Sequence, residues 1–229
     1  DTVAGEEHAR WAFGAVAIAA RRHGAANPNA QLRKPITMDD YLASPMQIEP
    51  LHRDDCCLVS DGGGAVVIMS AQKAKDLRVP APVPILGFGG GNTSVELQNR
   101  ACLTTTEAVR SSRLAFDMAG VRPIDVDVAQ IYDCFSVAVL MTLEDYGFCN
   151  KGSVYGSVRD GQIEFGGRLP LHTRGGLPPD TRMPGMQLIH EGVRQMRGSA
   201  TLQVPGAKLC AISNQGGAMH THATLLLGT

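Results

Sequence analysis

The sequence has a single tryptophan among 229 residues, only 5% aromatic residues in all, and a formal net charge of −1. Its 21 Lys and Arg are scattered among 22 Asp and Glu, so no basic track for nucleic acid or polybasic membrane patch stands out. No apolar run approaches the ~18 residues that would raise the question of a membrane span. No charged leader followed by a short apolar core is seen either, and a cytoplasmic location is the expectation. The six cysteines, Cys56, Cys57, Cys102, Cys134, Cys149 and Cys210, include no CxxC pair and lack the spacing of a small disulfide framework. Cys56 and Cys57 would point to opposite faces of a strand. Reduced, packed thiols are expected, and a zinc site built from them is not. The glycine runs lack phosphate-loop spacing: "DGGGAVV" is no GxxxxGKS or GxxxxGKT, and "GFGGGNTS" is no GxGxxG with a helix behind it.

What is present is 44% hydrophobic residues, enough to build the core of one or two globular domains. The chain opens with Asp1 rather than Met, as a fragment would. "EHARWAFGAVAIAARRH" predicts a buried helix over Glu7 to His23, with Arg21 and Arg22 at its C-terminal end. Thr37 is placed to cap a short helix over Met38 to Ala43 inside a polar, Pro-rich stretch that reads as a surface excursion. "CCLVSDGGGAVVIMS" predicts two strands, Cys56 to Val59 and Ala65 to Met69, around a glycine turn. "AQKAKDL" predicts a short helix, and a strand near Val83 to Gly87 leads into a glycine loop.

"TTTEAVRSSRLAFDMAG" supplies a Thr cap, an apolar stripe and Gly120 as a stop, hence an amphipathic helix. "IDVDVAQIY" alternates as a strand, "SVAVLMTLEDYG" and "GMQLIHEGVRQMRG" are helical, and "SVRDGQIEFG" holds an Asp-Gly turn. "AKLCAISN" and "HTHATLLLG" close the chain as two strands joined by "QGGAM". Alternating helices and strands argue for a layered α/β fold.

The chemistry concentrates where the strand "IDVDVAQIY" runs into "DCF". A phenol, a carboxylate and a thiol, Tyr132, Asp133 and Cys134, sit at a strand end, where α/β folds bind ligands. Read from the residues alone, Tyr132 is either a core tyrosine whose hydroxyl reaches backbone or a proton-transfer group. Asp133 is placed to cap the following helix, and Cys134 reads as packing. His220 and His222 would share one face of a strand, a metal-compatible spacing without a third ligand nearby in sequence. His220, beside the glycine turn, is the better proton-transfer candidate. His172, next to Arg174-Gly175-Gly176, is the reserve, and His190 reads as structural.

The order of "NPNA", "PITMDDYLASPMQIEPLHRDDCCLVSDGGGAVVIMSAQKAKDL", "DVAQIYDCFSVAVLMTLEDYGFCNKG", "LPLHTRGG", "EGVRQMRG" and "NQGGAMHTHATLLLG" resembles the lipid-transfer or sterol-carrier branch of the thiolase superfamily over nearly the whole chain. The resemblance implies a layered αβαβα fold, with the second half complete over residues 104–229 and the end of the first half in residues 1–103. Roughly the first 150 residues of a family member would then be absent, and with them the nucleophilic cysteine of the family's thiolases. It also implies acyl-CoA substrates, with CoA as part of the substrate and no separate cofactor or metal, and a homodimer.

Thiolases of this branch carry His where this chain has Tyr132. A tyrosine there resembles the steroid side-chain aldolases, which cleave a carbon–carbon bond of a β-hydroxyacyl-CoA and pair with a small OB-fold and zinc-ribbon protein. After "HTRGG", where those relatives place a second His or Tyr, this chain has Arg182 or, with a one-residue shift, Met183, neither a proton shuttle near neutral pH; Arg182 could hold a CoA phosphate or enolate charge. In "SNQGGAM", Asn214 with the N–H groups of Gly216 and Gly217 could line an oxyanion hole, or serve only as a turn. The resemblance makes Tyr132, His220 and Asn214 the catalytic candidates, and Arg182, His172, Gly216 and Gly217 the substrate-binding ones. Retro-aldol cleavage is the leading expectation. A thiolase or acyltransferase with its cysteine upstream and a non-catalytic acyl-CoA-binding or scaffold subunit stand beside it.

Overall fold

The computed structural model describes residues 3–93, 97–183 and 185–229. The elements are α1 (Val3–Ala26), α2 (Met38–Leu42), β1 (Met46–Ile48), β2 (Leu51–His52), α3 (Ala71–Asp76), β3 (Ile85–Asn92), α4 (Ala108–Ala119), β4 (Val128–Gln130), α5 (Ser136–Asp145), α6 (Val154–Arg159), α7 (Met186–Met196), β5 (Leu209–Gly216) and β6 (Thr221–Gly228). None of the described helices is long and apolar enough to cross a membrane.

A four-stranded mixed sheet in the order β3-β6-β5-β4 organises the molecule. β4 runs parallel to β5 through Val128↔Cys210 and Gln130↔Ile212, while β6 is antiparallel to both β5 and β3. Alternation along the strands gives the sheet two apolar faces. Ala129, Ile131, Leu209, Ala211 and Leu226 join residues of α1, α4 and α5 in one cluster. Val128, Tyr132, Cys210, Ile212 and Leu227 pack with Leu188 and Met196 of α7 in the other. Helices therefore cover both faces. β3 lies upstream of residue 104 yet forms the edge of this sheet, so the sheet runs across the division at 103/104 that the sequence suggested.

Local signals place several elements as expected. Thr37 and Asp40 close a capping box on α2, and α4 ends at Gly120 in the left-handed conformation, φ 66°. The N-cap of α4 is Glu107, which makes no side-chain cap bond, rather than a Thr; Thr106, one residue earlier, accepts from the Ala108 N–H at 3.1 Å.

Two expectations need correction. Cys56 to Val59 and Ala65 to Met69 are not strands; one isolated bridge, Cys56 to Phe135, is their only β pairing among the described residues. Their β propensity finds no neighbouring strand to complete a ladder, and Val59 and Val67 stand 94% and 83% exposed. The glycine loop is strand: β3 runs through Gly87 to Asn92, while Ser94 lies outside the described residues. A Cβ at Gly87 or Gly89 would lie 2.2 Å from the Ala115 carbonyl oxygen or 2.1 Å from that of Ser111, so these glycines let α4 lie directly on the strand.

The surface excursion is largely exposed, as expected, and is tied down at a few buried residues. The buried Tyr41 donates to Asp55 at 2.7 Å, the His52 N–H donates to the same carboxylate at 2.7 Å, and Arg21 of α1 pairs with Asp54 at 3.2 Å. These bonds satisfy polar groups that burial would otherwise penalise.

Candidate active site

The site grows from the C-terminal ends of two parallel strands. Because Gln130 pairs with Ile212, residues 131–134 continue beside residues 213–216 of β5. Tyr132 keeps the α7-facing parity of Val128 and packs in that cluster at 6% exposure. The Arg182 guanidinium, on the chain between "HTRGG" and α7, comes near enough to the Tyr132 hydroxyl for that interaction to be the main reason the pKa of the arginine is raised. Of the expected site residues, the structure brings His220 against Gly217 and, separately, Arg182 near Tyr132.

Thiols surround this pair without supplying a thiolate. Cys57 and Cys134 both pack against the Tyr132 cluster. Burial pushes the Cys134 thiol up to about 11. Burial likewise raises Cys57, with the Arg182 charge opposing. The Gln215 amide N–H contacts the Cys134 sulfur at 3.6 Å, and the Gln215 Oε1 atom is buried with no partner among the described residues. Sequence reasoning passed over Gln215 and Cys57. Gln215 reaches the site from the end of β5 and Cys57 through the bond of its N–H to the Cys134 carbonyl, and neither carries a local motif that would mark it.

Asn214 adjoins the same strand end. Its side-chain amide oxygen accepts from the Gln215 backbone N–H at 2.9 Å. Its amide nitrogen lies so close to Gly185 that a Cβ there would sit 1.7 Å away. Gly185, at φ 78°, is the residue before α7, and lacking a side chain it lets the helix start approach Asn214.

The other candidates sit elsewhere. His220 is in the turn between β5 and β6, not on a strand, with its ring against Gly217 and its Nδ1 buried without a partner. No described contact joins it to Tyr132. His222 is on β6 and belongs to a buried network, 2.8 Å from the Ser111 hydroxyl and 3.3 Å from that of Ser213. The two histidines therefore do not share a strand face, and no metal-binding group is found among the described residues. Gly216 is ladder-paired with Thr221 and Gly217 opens the turn at φ 41°, so their placement follows from the hairpin.

His172 and Asp133 are corrections of role. His172 is fully buried, and its Nε2 lies 2.7 Å from the Ile131 carbonyl oxygen to which it donates. It has no open face for substrate. Asp133 does not cap α5, whose N-cap is Phe135. Its carboxyl instead accepts from the Leu177 N–H at 3.1 Å through both oxygens, tying the Gly175-Gly176 loop to the end of β4. Burial pushes Asp133 up to about 8 and His172 down to about 4. Both are therefore neutral at neutral pH, and their 3.7 Å approach is not an ion pair.

This arrangement predicts a pH signature. An unfolded aspartate ionises near 3.9, whereas folded Asp133 keeps its proton up to about 8. The stabilising contribution is complete below the unfolded pKa and is lost as pH rises through that window. Asp133→Asn keeps an acceptor for the Leu177 N–H and removes the titration. The variant is expected to gain on the wild type as pH rises across the window, by roughly a few kcal/mol. Urea midpoints across the range read this directly, and parallel curves for the two proteins would refute it. His172 works in the opposite sense, losing stability as pH falls from about 6.5 toward about 4.

A mixed sheet covered by helices on both faces, with a tyrosine at the end of the strand before α5, defines a thiolase-like α/β protein. Residues 89–229 match the thiolase C-terminal domain-like family, and the chain belongs to it. It is 40% identical over 202 residues to 17-hydroxy-3-oxo-4-pregnene-20-carboxyl-CoA lyase of Mycobacterium tuberculosis, covering 86% of this chain and 52% of that protein. It is 39% identical over 202 residues to a steroid side-chain-cleaving aldolase of Thermomonospora curvata, covering 85% and 51%. The solved structure of an Ltp2-ChsH2(DUF35) aldolase superposes with a TM-score of 0.91 at 35% identity, over 96% of this chain and 58% of that one. A monomeric SCP2-thiolase like protein type 1 from Mycobacterium smegmatis shares the fold, with a TM-score of 0.72 at 21% identity, covering 96% and 46%. The chain spans about half the length of these curated relatives.

Proposed function

We propose that this chain is the tyrosine-bearing part of an aldolase that cleaves a β-hydroxyacyl-CoA with a steroid or branched side chain. The observation that carries the reading is the buried Tyr132 at the end of β4, near the Arg182 charge, among thiols whose pKa values burial raises. The names of the aldolase relatives support it. In the proposed reaction the Tyr132 oxygen, as phenolate stabilised by Arg182, takes the proton of the substrate's β-hydroxyl. The Cα–Cβ bond then breaks. Its electron pair passes to the thioester as an enolate, and Cβ leaves as a ketone. The enolate takes a proton back at Cα, giving the shorter acyl-CoA and restoring the phenolate. Asn214 and the Gln215 amide are the donors placed nearest for the enolate oxygen.

The substrate's own CoA is the only cofactor this chemistry requires. The solved relative's name carries two components, Ltp2 and ChsH2(DUF35), which supports a partner protein for this chain; the homodimer is part of the same proposal. A cytoplasmic location suits an acyl-CoA substrate. The test is the protein as its gene encodes it, with its partner, incubated with a β-hydroxyacyl-CoA bearing a tertiary β-carbon. Release of a ketone and a shorter acyl-CoA is expected. A covalent acyl-enzyme without ketone release would instead establish the thiolase reading and overturn this one.

A further inference from the structure

We propose that Cys57 and Cys134 are a redox-closable thiol pair, a site of reversible disulfide formation beside Tyr132. The geometry comes from the backbone. The isolated antiparallel bridge between Cys56 and Phe135 makes Cys57 and Cys134 the next rung, and the Cys57 N–H donates to the Cys134 carbonyl at 3.0 Å. Residues facing each other on an antiparallel rung project to the same side, with Cα atoms about 5.5 Å apart when hydrogen-bonded. That is the commonest Cα separation of bridged cysteines. Both thiols are free, half-buried and packed against the cluster that holds Tyr132. The neighbouring Cys56 contacts the His52 carbonyl at 3.6 Å, on the opposite side of its rung.

A regular rung leaves the Cβ atoms about 4.5–5.5 Å apart, wider than the ~3.8 Å of a disulfide. The single bridge removes this obstacle: residues 57–70 form no ladder, so the Cys57 backbone can move inward. Such movement draws Cys57 away from Arg182 and displaces Gln215 from the Cys134 sulfur, disturbing the phenol–guanidinium pair. A disulfide strained in this way is readily reduced, as reversible ones are.

With hydrogen peroxide as oxidant, the Cys57 thiol, once ionised, attacks one peroxide oxygen. This gives a sulfenic acid and, after protonation, one water. The Cys134 thiol then attacks the sulfenic sulfur and expels the second water. Two thiols are oxidised by two electrons and one peroxide is reduced to two waters.

The test treats the protein as its gene encodes it with dilute hydrogen peroxide, then blocks free thiols and counts them by intact-mass spectrometry. A reversible loss of two hydrogens is expected in the wild type and in Cys56→Ser, and is expected to be absent from both Cys57→Ser and Cys134→Ser. A link that persists in either of the latter variants, or no link in the wild type, overturns the proposal. The effect on turnover rests on the aldolase reading and is measured separately: activity lost with peroxide should return with dithiothreitol. If the disulfide forms in a protein without aldolase activity, only that reading fails.

Discussion

Replacing Tyr132 with Phe is expected to lower turnover of a β-hydroxyacyl-CoA by about 100- to 10,000-fold, the range that a positioned proton-transfer group supplies. The ring fills its place in the Val128, Leu188 and Ile212 cluster, so the fold should survive and KM should change little. That split separates a chemical role from a structural one, because a packing residue would raise KM or lower the melting temperature together with turnover. Arg182→Gln adds a second readout. Without the guanidinium the positive charge nearest the phenol is gone, and turnover should fall. Arg182→Lys restores the charge and should recover part of the loss. Wild-type turnover in Tyr132→Phe would end the assignment of Tyr132 as the base.

Elements whose cause is local were legible in the sequence, and those whose cause is distant were not. Thr37 and Asp40 lie three residues apart and cap α2 wherever that helix packs. The apolar stripe and terminal Gly120 define α4 in the same way. Asp133 was misread because the group it binds, the Leu177 N–H, lies 44 residues further along the chain. The run Cys56 to Met69 has strand composition but no partner strand among the described residues, and propensity alone does not make a ladder. At the site, Tyr132 and Arg182 were named from a family pattern, and their interaction depends on the path of the chain between Gly176 and α7. His172 and His220 had the right chemistry for proton transfer. Burial against the Ile131 carbonyl takes one away from substrate, and the β5–β6 turn separates the other from Tyr132.

Gly89→Val is expected to be among the most damaging single changes in the sheet. A Cβ there would lie 2.1 Å from the Ser111 carbonyl oxygen and 2.9 Å from the Leu114 Cβ, so α4 must lift from β3 and β6 or the strand must bend. Overpacking of this kind costs about 1–3 kcal/mol. The cost should reach the upper end here because Ser111 also carries a buried network. Its hydroxyl lies 2.8 Å from both His222 Nδ1 and the Thr224 hydroxyl, and Thr224 in turn bonds to Tyr146 at 2.5 Å. Moving α4 would strand these polar groups without partners, adding their desolvation cost. At about 2–4 °C per kcal/mol for a chain of this size, the melting temperature should fall by roughly 6–12 °C. Gly90→Ala is the control: nothing lies within 4 Å of its Cβ position. On the same strand it should change stability by no more than about 0.5 kcal/mol. Equal melting temperatures for the two variants would show that contact with α4 is not what requires glycine at position 89.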